Sequence, residues 1–231
     1  MIKNFMIVAT LLCNSILFSQ EQHINCAKNL LINQNTKNLR VLKYQKGFLA
    51  KKINSFSKVT NNTPEELMSS ILSASTLDWY NYNREEKKEK TSQDFNYIKQ
   101  IPSDKYFFEL LYKITFEANG FEYAVIKYYL HNNDEVVGFA ESMKKIEEKW
   151  VTTSESEISQ LLFFMIMIDT EYISKIFKKQ ETNNKALNLI ISNNIKQDKL
   201  NVNGLLIDLE EGLSSENEEL KLLLDPKRLF K

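Results

Sequence analysis

Apolar and polar residues alternate with a period of two in the middle of the chain. Every second residue from 106 to 116 is apolar or aromatic, namely Tyr106, Phe108, Leu110, Tyr112, Ile114 and Phe116. Because successive side chains of a strand point to opposite faces of a sheet, this pattern predicts a strand over about residues 106–116 with one buried face. Asn119-Gly120 comes next, a dipeptide typical of tight hairpin turns because both residues tolerate positive φ.

The pattern predicts three more strands after this turn. The return strand, over about residues 121–130, is apolar on one parity and mixed on the other, which favours a position inside the sheet rather than at its edge. Strands over about 136–146 and 150–153 follow, separated by polar turns. Consecutive strands joined by short turns form an antiparallel meander.

Helical patterns precede the predicted sheet. Thr63 offers an N-cap oxygen, Pro64 suits the first helical position, and the two glutamates that follow are favourable in a first turn. Upstream, residues 38–58 predict another helix that Gly47 interrupts. The apolar residues of this segment recur at helical spacings, and they are Leu39, Leu42, Leu49, Ile53 and Phe56.

A long helix is predicted directly after the last strand. Ser154 and Glu157 have the spacing of a capping box, in which each side chain bonds a free amide of the first turn. Residues 161–168, LLFFMIMI, are apolar around the whole circumference of the helix. Such a helix must be covered on all sides, by the sheet on one and by other helices or a partner on the others. Met165 and Met167 are expected in the core, the alternative being a soft binding surface.

The first residues have the layout of a secretory signal peptide, predicted over residues 1–19. Lys3 provides a positive charge, an apolar run follows, and Ser19 is a small residue at a cleavage position. The run is shorter than the roughly 20 apolar residues that cross a bilayer. We therefore expect export to the periplasm or to the outside of the cell, with a mature chain that starts near Gln20 and has no transmembrane segment.

The rest of the chain, residues 20–231, is long enough for a single domain with a sizeable core. The patterns divide this α+β domain into a basic helical segment over 20–62, a core of helix and sheet over 63–153, and C-terminal helices over 154–231. Its one cysteine, Cys26, cannot form an intramolecular disulfide. The thiol is therefore either buried and free or engaged in an intermolecular bridge.

Charge is balanced over the chain but not along it. The 30 basic and 30 acidic residues leave no net charge that would draw the protein to nucleic acid or to a membrane. Residues 22–64 are basic and contain no acidic residue, whereas residues 208–219 are strongly acidic. The basic segment is an anion-binding face, or else the basic and acidic segments lie near each other or are simply solvated.

The hairpin ESMKKIEEKWVTTSE, which closes the predicted sheet, completes a pattern of helices followed by long antiparallel strands. This order resembles the nuclear-transport-factor-like and ketosteroid-isomerase-like superfamily over about residues 63–153, while the helices after Ser154 extend beyond it. The resemblance implies a conical pocket between sheet and helices in which tyrosines donate hydrogen bonds. The candidate pocket residues are Tyr106, Tyr112 and Tyr128, which are expected to share the inward face of the sheet, and the alternative is that they form ordinary aromatic core.

Little else in the chain suits catalysis. His131, in a predicted turn, is either a general base or a solvated side chain. No motif for a nucleotide, a metal or covalent catalysis occurs, so we expect no cofactor, no metal and, because the basic segment lacks interleaved aromatics, no nucleic acid. Charged residues of the strands are expected to pair across a wet face, and they are Glu109, Lys113, Glu117, Lys127, Glu141 and Lys145.

Two functions are compatible with these patterns. The first is a non-enzymatic exported binding or accessory protein of the cell envelope, whose partner is another envelope or secreted protein. The alternative is a small-molecule pocket enzyme or ligand binder on the ketosteroid-isomerase-like scaffold. A filled sheet face with an exposed apolar patch favours the first, and an open cavity with one of the three tyrosines at its wall favours the second.

Overall fold

The computed structural model describes residues 21–24, 36–102, 104–133, 135–196, 199–214 and 217–228. The predicted signal peptide and Cys26 lie outside these residues. Six strands form an antiparallel sheet in chain order, namely β1 (Glu21–Ile24), β2 (Lys37–Tyr44), β3 (Tyr106–Ala118), β4 (Phe121–Asn132), β5 (Glu135–Ile146) and β6 (Lys149–Thr152). A separate hairpin joins β7 (Ile195–Lys196) to β8 (Lys199–Leu200). The six-stranded sheet does not close into a barrel.

The predicted α+β fold with an antiparallel meander is confirmed. The four strands expected from the alternation correspond to β3, β4, β5 and β6. Between β3 and β4, Asn119 and Gly120 have φ values of 51° and 82°, the left-handed conformations that a tight hairpin turn requires.

Helices cover both faces of the sheet. One face, named here the α1 face, packs against the N-terminal helices, which are α1 (Pro64–Ser73), α2 (Leu77–Tyr82) and α3 (Gln93–Ile98). The other face, named the α4 face, packs against the C-terminal helices, which are α4 (Ser156–Met167), α5 (Thr170–Phe177), α6 (Lys185–Asn194), α7 (Val202–Ser214) and α8 (Glu218–Lys221). Because helices lie on both sides, residues 123–128 of β4 are all buried, and this strand is inside the sheet as expected.

The start of α1 follows the predicted pattern. The Oγ1 atom of Thr63 accepts a hydrogen bond from the Glu66 amide at 3.1 Å, and Pro64 occupies the first turn. Leu67 and Met68 are then fully buried against the α1 face of the sheet. The cap therefore orients an apolar helix face toward the core.

The helix predicted over residues 38–58 is wrong. The segment contains β2, a loop and a short 3-10 turn over Phe56–Lys58. Val41 pairs with Ile114 of β3, and Val41 and Leu42 are buried on opposite faces of the sheet. A strand that is covered on both faces shows no alternation of apolar and polar residues, so its period could not be recognised locally.

The predicted capping box of α4 is also wrong. The N-cap residue is Glu155, and Ser154 Oγ instead donates to Glu86 Oε1 at 3.3 Å. Glu155 is held by Lys144 and by the hydroxyl of Tyr123, which donates to Glu155 Oε2 at 2.6 Å. Because of these tertiary contacts, the helix starts one residue later than predicted. The side chain of Glu157 lies outside the described part.

The apolar run of α4 forms the centre of the larger core, as its sequence predicts. Phe164, Met165 and Met167 are buried between the sheet and the other C-terminal helices. Phe163 is the exception, since 50% of its surface is exposed.

A β-bulge divides β3 into two halves. Leu110 pairs with Tyr128 and Tyr112 pairs with Lys127, so Leu111 is the extra residue. Because of this one extra residue, each later side chain of β3 points to the face opposite the one that the alternation predicts. The apolar parity therefore faces α1 before the bulge, with Tyr106, Phe108 and Leu110, and faces α4 after it, with Tyr112, Ile114 and Phe116.

Candidate ligand-binding cleft

The three candidate tyrosines lie on different faces of the sheet. Tyr106 and Tyr128 are buried on the α1 face, where burial raises the pKa of both hydroxyls. Tyr112 lies beyond the bulge on the α4 face, with its hydroxyl 2.8 Å from Ser174 Oγ. The expectation that all three share one face is therefore wrong for Tyr112.

Tyr112 lines a cleft of about 420 Å³ that opens on the α4 face beside the bulge. Leu111 and Tyr129 contribute further apolar and aromatic surface to this cleft, and residues from the end of β2, the start of α5 and the C-terminal segment complete its rim. Clefts of this volume accommodate small organic ligands.

Three lysines line the cleft, namely Lys43 and Lys46 near the end of β2 and Lys227 near the C-terminus. The ammonium of Lys43 lies 5.6 Å from the centre of the Tyr112 ring, and that of Lys227 lies 4.2 Å from the centre of the Tyr129 ring. Within the described residues, none of the three lysines forms an ion pair. Their positive charges are therefore uncompensated.

The two carboxylates at the rim already have partners. Glu109 accepts a hydrogen bond from the Gly47 amide at 3.0 Å, and its second oxygen lies 3.2 Å from Nε2 of His131. Glu171 pairs with Lys175 at 2.6 Å. Because these acids are engaged elsewhere, the cleft keeps an excess of positive charge.

His131 lies in β4 and not in the turn predicted for it. Its ring stacks on Phe107 with centroids 4.2 Å apart, while Glu109 holds one ring nitrogen. These contacts hold the imidazole beside Glu109, which lines the cleft, and His131 is partly buried rather than solvated.

Tyr129 is the neutral hydrogen-bond donor of the cleft. Burial, together with the nearby charge of Asp225, raises the pKa of Tyr129 to about 12, while a hydrogen bond with Thr170 acts in the opposite direction. The hydroxyl therefore keeps its proton at neutral pH. Tyr129 and Thr170 place two hydroxyl groups among the lysines.

Lys227 reaches the cleft on residues 222–228, named here the C-terminal strap. The Asp225 amide donates to the Met167 carbonyl at 2.8 Å, and the Gly138 amide donates to the Lys227 carbonyl at 2.6 Å. A Cβ atom on Gly138 would lie 3.2 Å from Oδ2 of Asp225, so a glycine allows this close approach. The strap thus joins the end of α4 to the edge of β5.

Lys127 of β4 anchors the strap from inside the sheet. Its ammonium lies 2.7 Å from Oδ2 of Asp225, and both side chains are fully buried. The ammonium also donates to the carbonyls of Met165 at 2.7 Å and Ile168 at 2.8 Å. Carbonyls at a helix C-terminus lack partners within the helix and carry partial negative charge, so they stabilise a cation.

The wet face predicted for the charged strand residues is wrong for Lys127. Burial lowers the pKa of Lys127, and the charge and hydrogen bond of Asp225 oppose that change. Lys127 points to the α4 core because β4 is covered on both faces. The mixture of polar and apolar residues on this side of β4 does not show that the side is buried.

Comparison of the chain with family models, curated proteins and solved structures gave no match. In the part of the chain that the structure describes, no helix combines the length and apolar character needed to cross a bilayer. Among the same residues, no three His, Cys, Asp or Glu side chains converge on one point. The assignment of the cleft rests on its own geometry, and the superfamily resemblance stays a prediction.

Sequence patterns reveal only part of this site. Lys43 and Lys46 belong to the acid-free segment 22–64, for which an anion-binding face is one of two interpretations. Tyr129 lies on the mixed parity of β4 beside hydrophobic neighbours, and nothing in the local pattern links it to Thr170 or Lys227. Only the tertiary fold brings these residues together.

Proposed function

We propose that this protein binds a small organic anion in the cleft on the α4 face. The observation that carries the proposal is the convergence of Lys43, Lys46 and Lys227 on one cleft without a carboxylate partner within the described residues. Like charges that face one another repel, and a bound anion would remove that repulsion. The proposal is one of binding, and the rim carboxylate Glu109 is held by the Gly47 amide and His131.

The lining also suggests the chemistry of the ligand. Lysine ammonium groups act as point charges with rotatable donors, so they accept either a carboxylate or a phosphate. The partly exposed ring of Tyr129 offers a surface for a planar apolar body, whereas Tyr112 is buried beneath the cleft. The hydroxyl groups of Tyr129 and Thr170 can donate to an anionic oxygen. We infer a carboxylate or phosphate group attached to an aromatic or otherwise planar apolar body.

Calorimetric titration with phenyl phosphate and with benzoate tests this proposal. Both anions should bind, and their affinity should fall as salt is added, while neutral phenol should bind much more weakly. The double variant Lys43→Gln/Lys227→Gln should lose at least about tenfold in affinity, equivalent to roughly 1.4 kcal/mol.

A charge-matched control separates the cleft from the net charge of the protein. The double variant Lys51→Gln/Lys58→Gln removes two exposed lysines that do not line the cleft, and it should bind both anions like the unmodified protein. Equal losses in the two double variants would contradict the proposal.

Export is part of the proposed role. A mature chain that starts near Gln20 would meet its ligand in the periplasm or outside the cell, and intact-mass measurement on protein from its native host tests that start. A macromolecular envelope partner is the alternative proposal. It is supported by the exposed apolar side chains of Leu189 and Leu222, whose exposed fractions are 61% and 64%.

A further inference from the structure

A second cleft, of about 350 Å³, lies where β6 ends and the chain leaves the sheet for α4. The pairing of β6 with β5 stops at Met143 and Thr152. Beyond that point, Glu141 and Ser142 of β5 line the cleft, together with residues of the loop after α2 and of α4. No residue that lines this cleft also lines the first one.

Glu141 is the unpaired acid of this second cleft. It lies opposite the fully buried Ile126 of β4 and is itself only partly exposed. Within the described residues its carboxyl group has neither a hydrogen-bond partner nor an ion pair. Burial raises the pKa of Glu141 to about 7, and the charge of Arg84 opposes that change.

Arg84 is the unpaired base of the same cleft. Its Nη1 atom donates to the Tyr80 hydroxyl at 3.2 Å, and its guanidinium carbon lies 5.1 Å from the centre of the Tyr80 ring. Its buried Nε atom has no hydrogen-bond partner among the described residues. Arg84 and Glu141 line one cleft without forming an ion pair within the described residues, although the charge of Arg84 acts on Glu141.

The other acids at this cleft have partners. Glu155 is held by Lys144 and Tyr123, whose hydrogen bonds lower the pKa of Glu155 although burial acts to raise it. Glu86 is exposed and pairs with Lys88 at 3.4 Å. The distribution of charge therefore singles out Glu141 and Arg84.

An apolar wall completes the cleft. Leu162 and Phe163 of α4 line it, and Phe163 is half exposed although it belongs to an otherwise buried apolar run. Glu141, opposite Ile126, points to the α1 face, whereas Leu162 and Phe163 line the cleft from the α4 face, so the cleft passes around the sheet edge that β6 leaves open. Its lining matches a ligand that carries both charges and an apolar group.

We propose that this second cleft binds an α-amino acid as its zwitterion. Glu141 receives the α-ammonium group, Arg84 receives the α-carboxylate, and Leu162 and Phe163 contact an apolar side chain. The site is independent of the proposed anion cleft, because the two share no residue.

Binding is coupled to a proton. The titratable and charged groups around Glu141 are Arg84, which stays charged, Tyr128, which burial keeps neutral, and the paired Glu86 and Glu155. A ligand ammonium needs the ionised form of Glu141, so the acid releases its proton to solvent as the ligand binds. Affinity should therefore rise about tenfold between pH 6 and pH 8, as the ionised fraction of a group with a pKa near 7 increases.

The experiment begins with thermal shift measurements on the full protein with each common L-amino acid at millimolar concentration. The apolar amino acid with the largest shift is then titrated by calorimetry, together with its decarboxylated amine and its deaminated acid. Both analogues should bind at least about tenfold more weakly, because each lacks one of the two charges. If no amino acid raises the melting temperature, or if either analogue binds as well as the zwitterion, the proposal is overturned.

Variants locate the site. Glu141→Gln should weaken binding at pH 8 and abolish its pH dependence, and Arg84→Gln should weaken binding at both pH values. Glu86→Gln is the control, since Glu86 lines the same cleft but already has a partner, and its affinity should not change. Unchanged binding by folded Glu141→Gln protein would also overturn the proposal, and near-ultraviolet circular dichroism establishes that each variant is folded.

Discussion

Glu141 and Lys127 are ionisable residues of neighbouring strands, and their surroundings compensate their charges differently. Lys127 is surrounded by a carboxylate and by helix-terminal carbonyls, which favour its charged form. Glu141 has no hydrogen-bond partner within the described residues, and its pKa is raised to about 7 because burial outweighs the charge of Arg84. Near neutral pH, the protonation of Glu141 therefore responds to small changes of environment.

Glu141→Gln should change how the stability of the protein depends on pH. The pKa of Glu141 is about 7 in the folded chain against 4.5 as its ordinary value. The folded state thus holds this proton more tightly, so the stabilising contribution is complete below pH 4.5 and is lost as pH rises through 7. Glutamine mimics the protonated acid, and the variant should be more stable than the unmodified protein at pH 8 by roughly 2–3 kcal/mol.

Chemical denaturation at pH 4.5 and pH 8 measures this difference. The two proteins should have similar stability at pH 4.5, where Glu141 is protonated in the folded chain and about half protonated in the unfolded chain. Glu86→Gln, which alters an exposed acid, should show no comparable gain at pH 8. A constant offset between Glu141→Gln and the unmodified protein at both pH values would be inconsistent with a raised pKa.

At the scale of elements, α4 shows how one helix serves two purposes. Its buried side packs into the largest core, where the ring of Phe164 meets that of Phe177 edge to face with centroids 6.4 Å apart. Its exposed side presents Phe163 to the second cleft. All residues of this run are apolar in sequence, but the elements that pack around α4 leave one side of the helix exposed.

Substitutions of two adjacent phenylalanines on α4 should therefore have different effects on the stability of the protein. Phe164→Ala should destabilise the protein by about 3–5 kcal/mol, because it removes a fully buried ring and leaves a cavity. Phe163→Ala should stay within about 0.5 kcal/mol, as for most surface changes. Chemical denaturation of both variants makes the comparison, and similar costs at the two positions would show that the orientation of α4 is different from the one described.

At the scale of the whole molecule, the Lys127–Asp225 pair connects the sheet, the end of α4 and the C-terminal strap. Asp225 also accepts a hydrogen bond from the Lys227 amide at 2.9 Å, which fixes the strap beside the anion cleft. A single buried contact thus couples global stability to the position of Lys227 in the proposed anion cleft.

Lys127→Met should cost about 3–5 kcal/mol, because it leaves the carboxylate of Asp225 buried without its partner. The double variant Lys127→Met/Asp225→Asn removes both charges and should recover a large part of that loss. Chemical denaturation measures stability, and titration with phenyl phosphate should show weaker binding by the single variant, because the strap that carries Lys227 is loosened.

Lys145→Met is the matched control for this prediction. Lys145 pairs with Glu122 at 3.1 Å on a more exposed part of the sheet, and the loss of such a pair costs at most about 1 kcal/mol. If Lys127→Met cost no more than Lys145→Met, the buried pair would not anchor the strap.

Several features of this protein could be predicted from short stretches of sequence. The cap at Thr63, the turn at Asn119-Gly120 and the spans of β3 to β6 depend on residues that are neighbours along the chain. Local backbone preferences and the period of two act within such stretches, so their outcome does not require knowledge of the rest of the fold.

Only the tertiary structure decided how these elements combine. The strand character of β2 depends on its pairing with β3, the inversion at Leu111 depends on the register with β4, and the burial of Lys127 depends on Asp225 near the other end of the chain. The two clefts have the same origin, since each is lined by residues from distant segments. A local pattern indicates which positions are apolar, but the face that each side chain occupies and the partner that covers it are set by contacts between segments far apart in sequence.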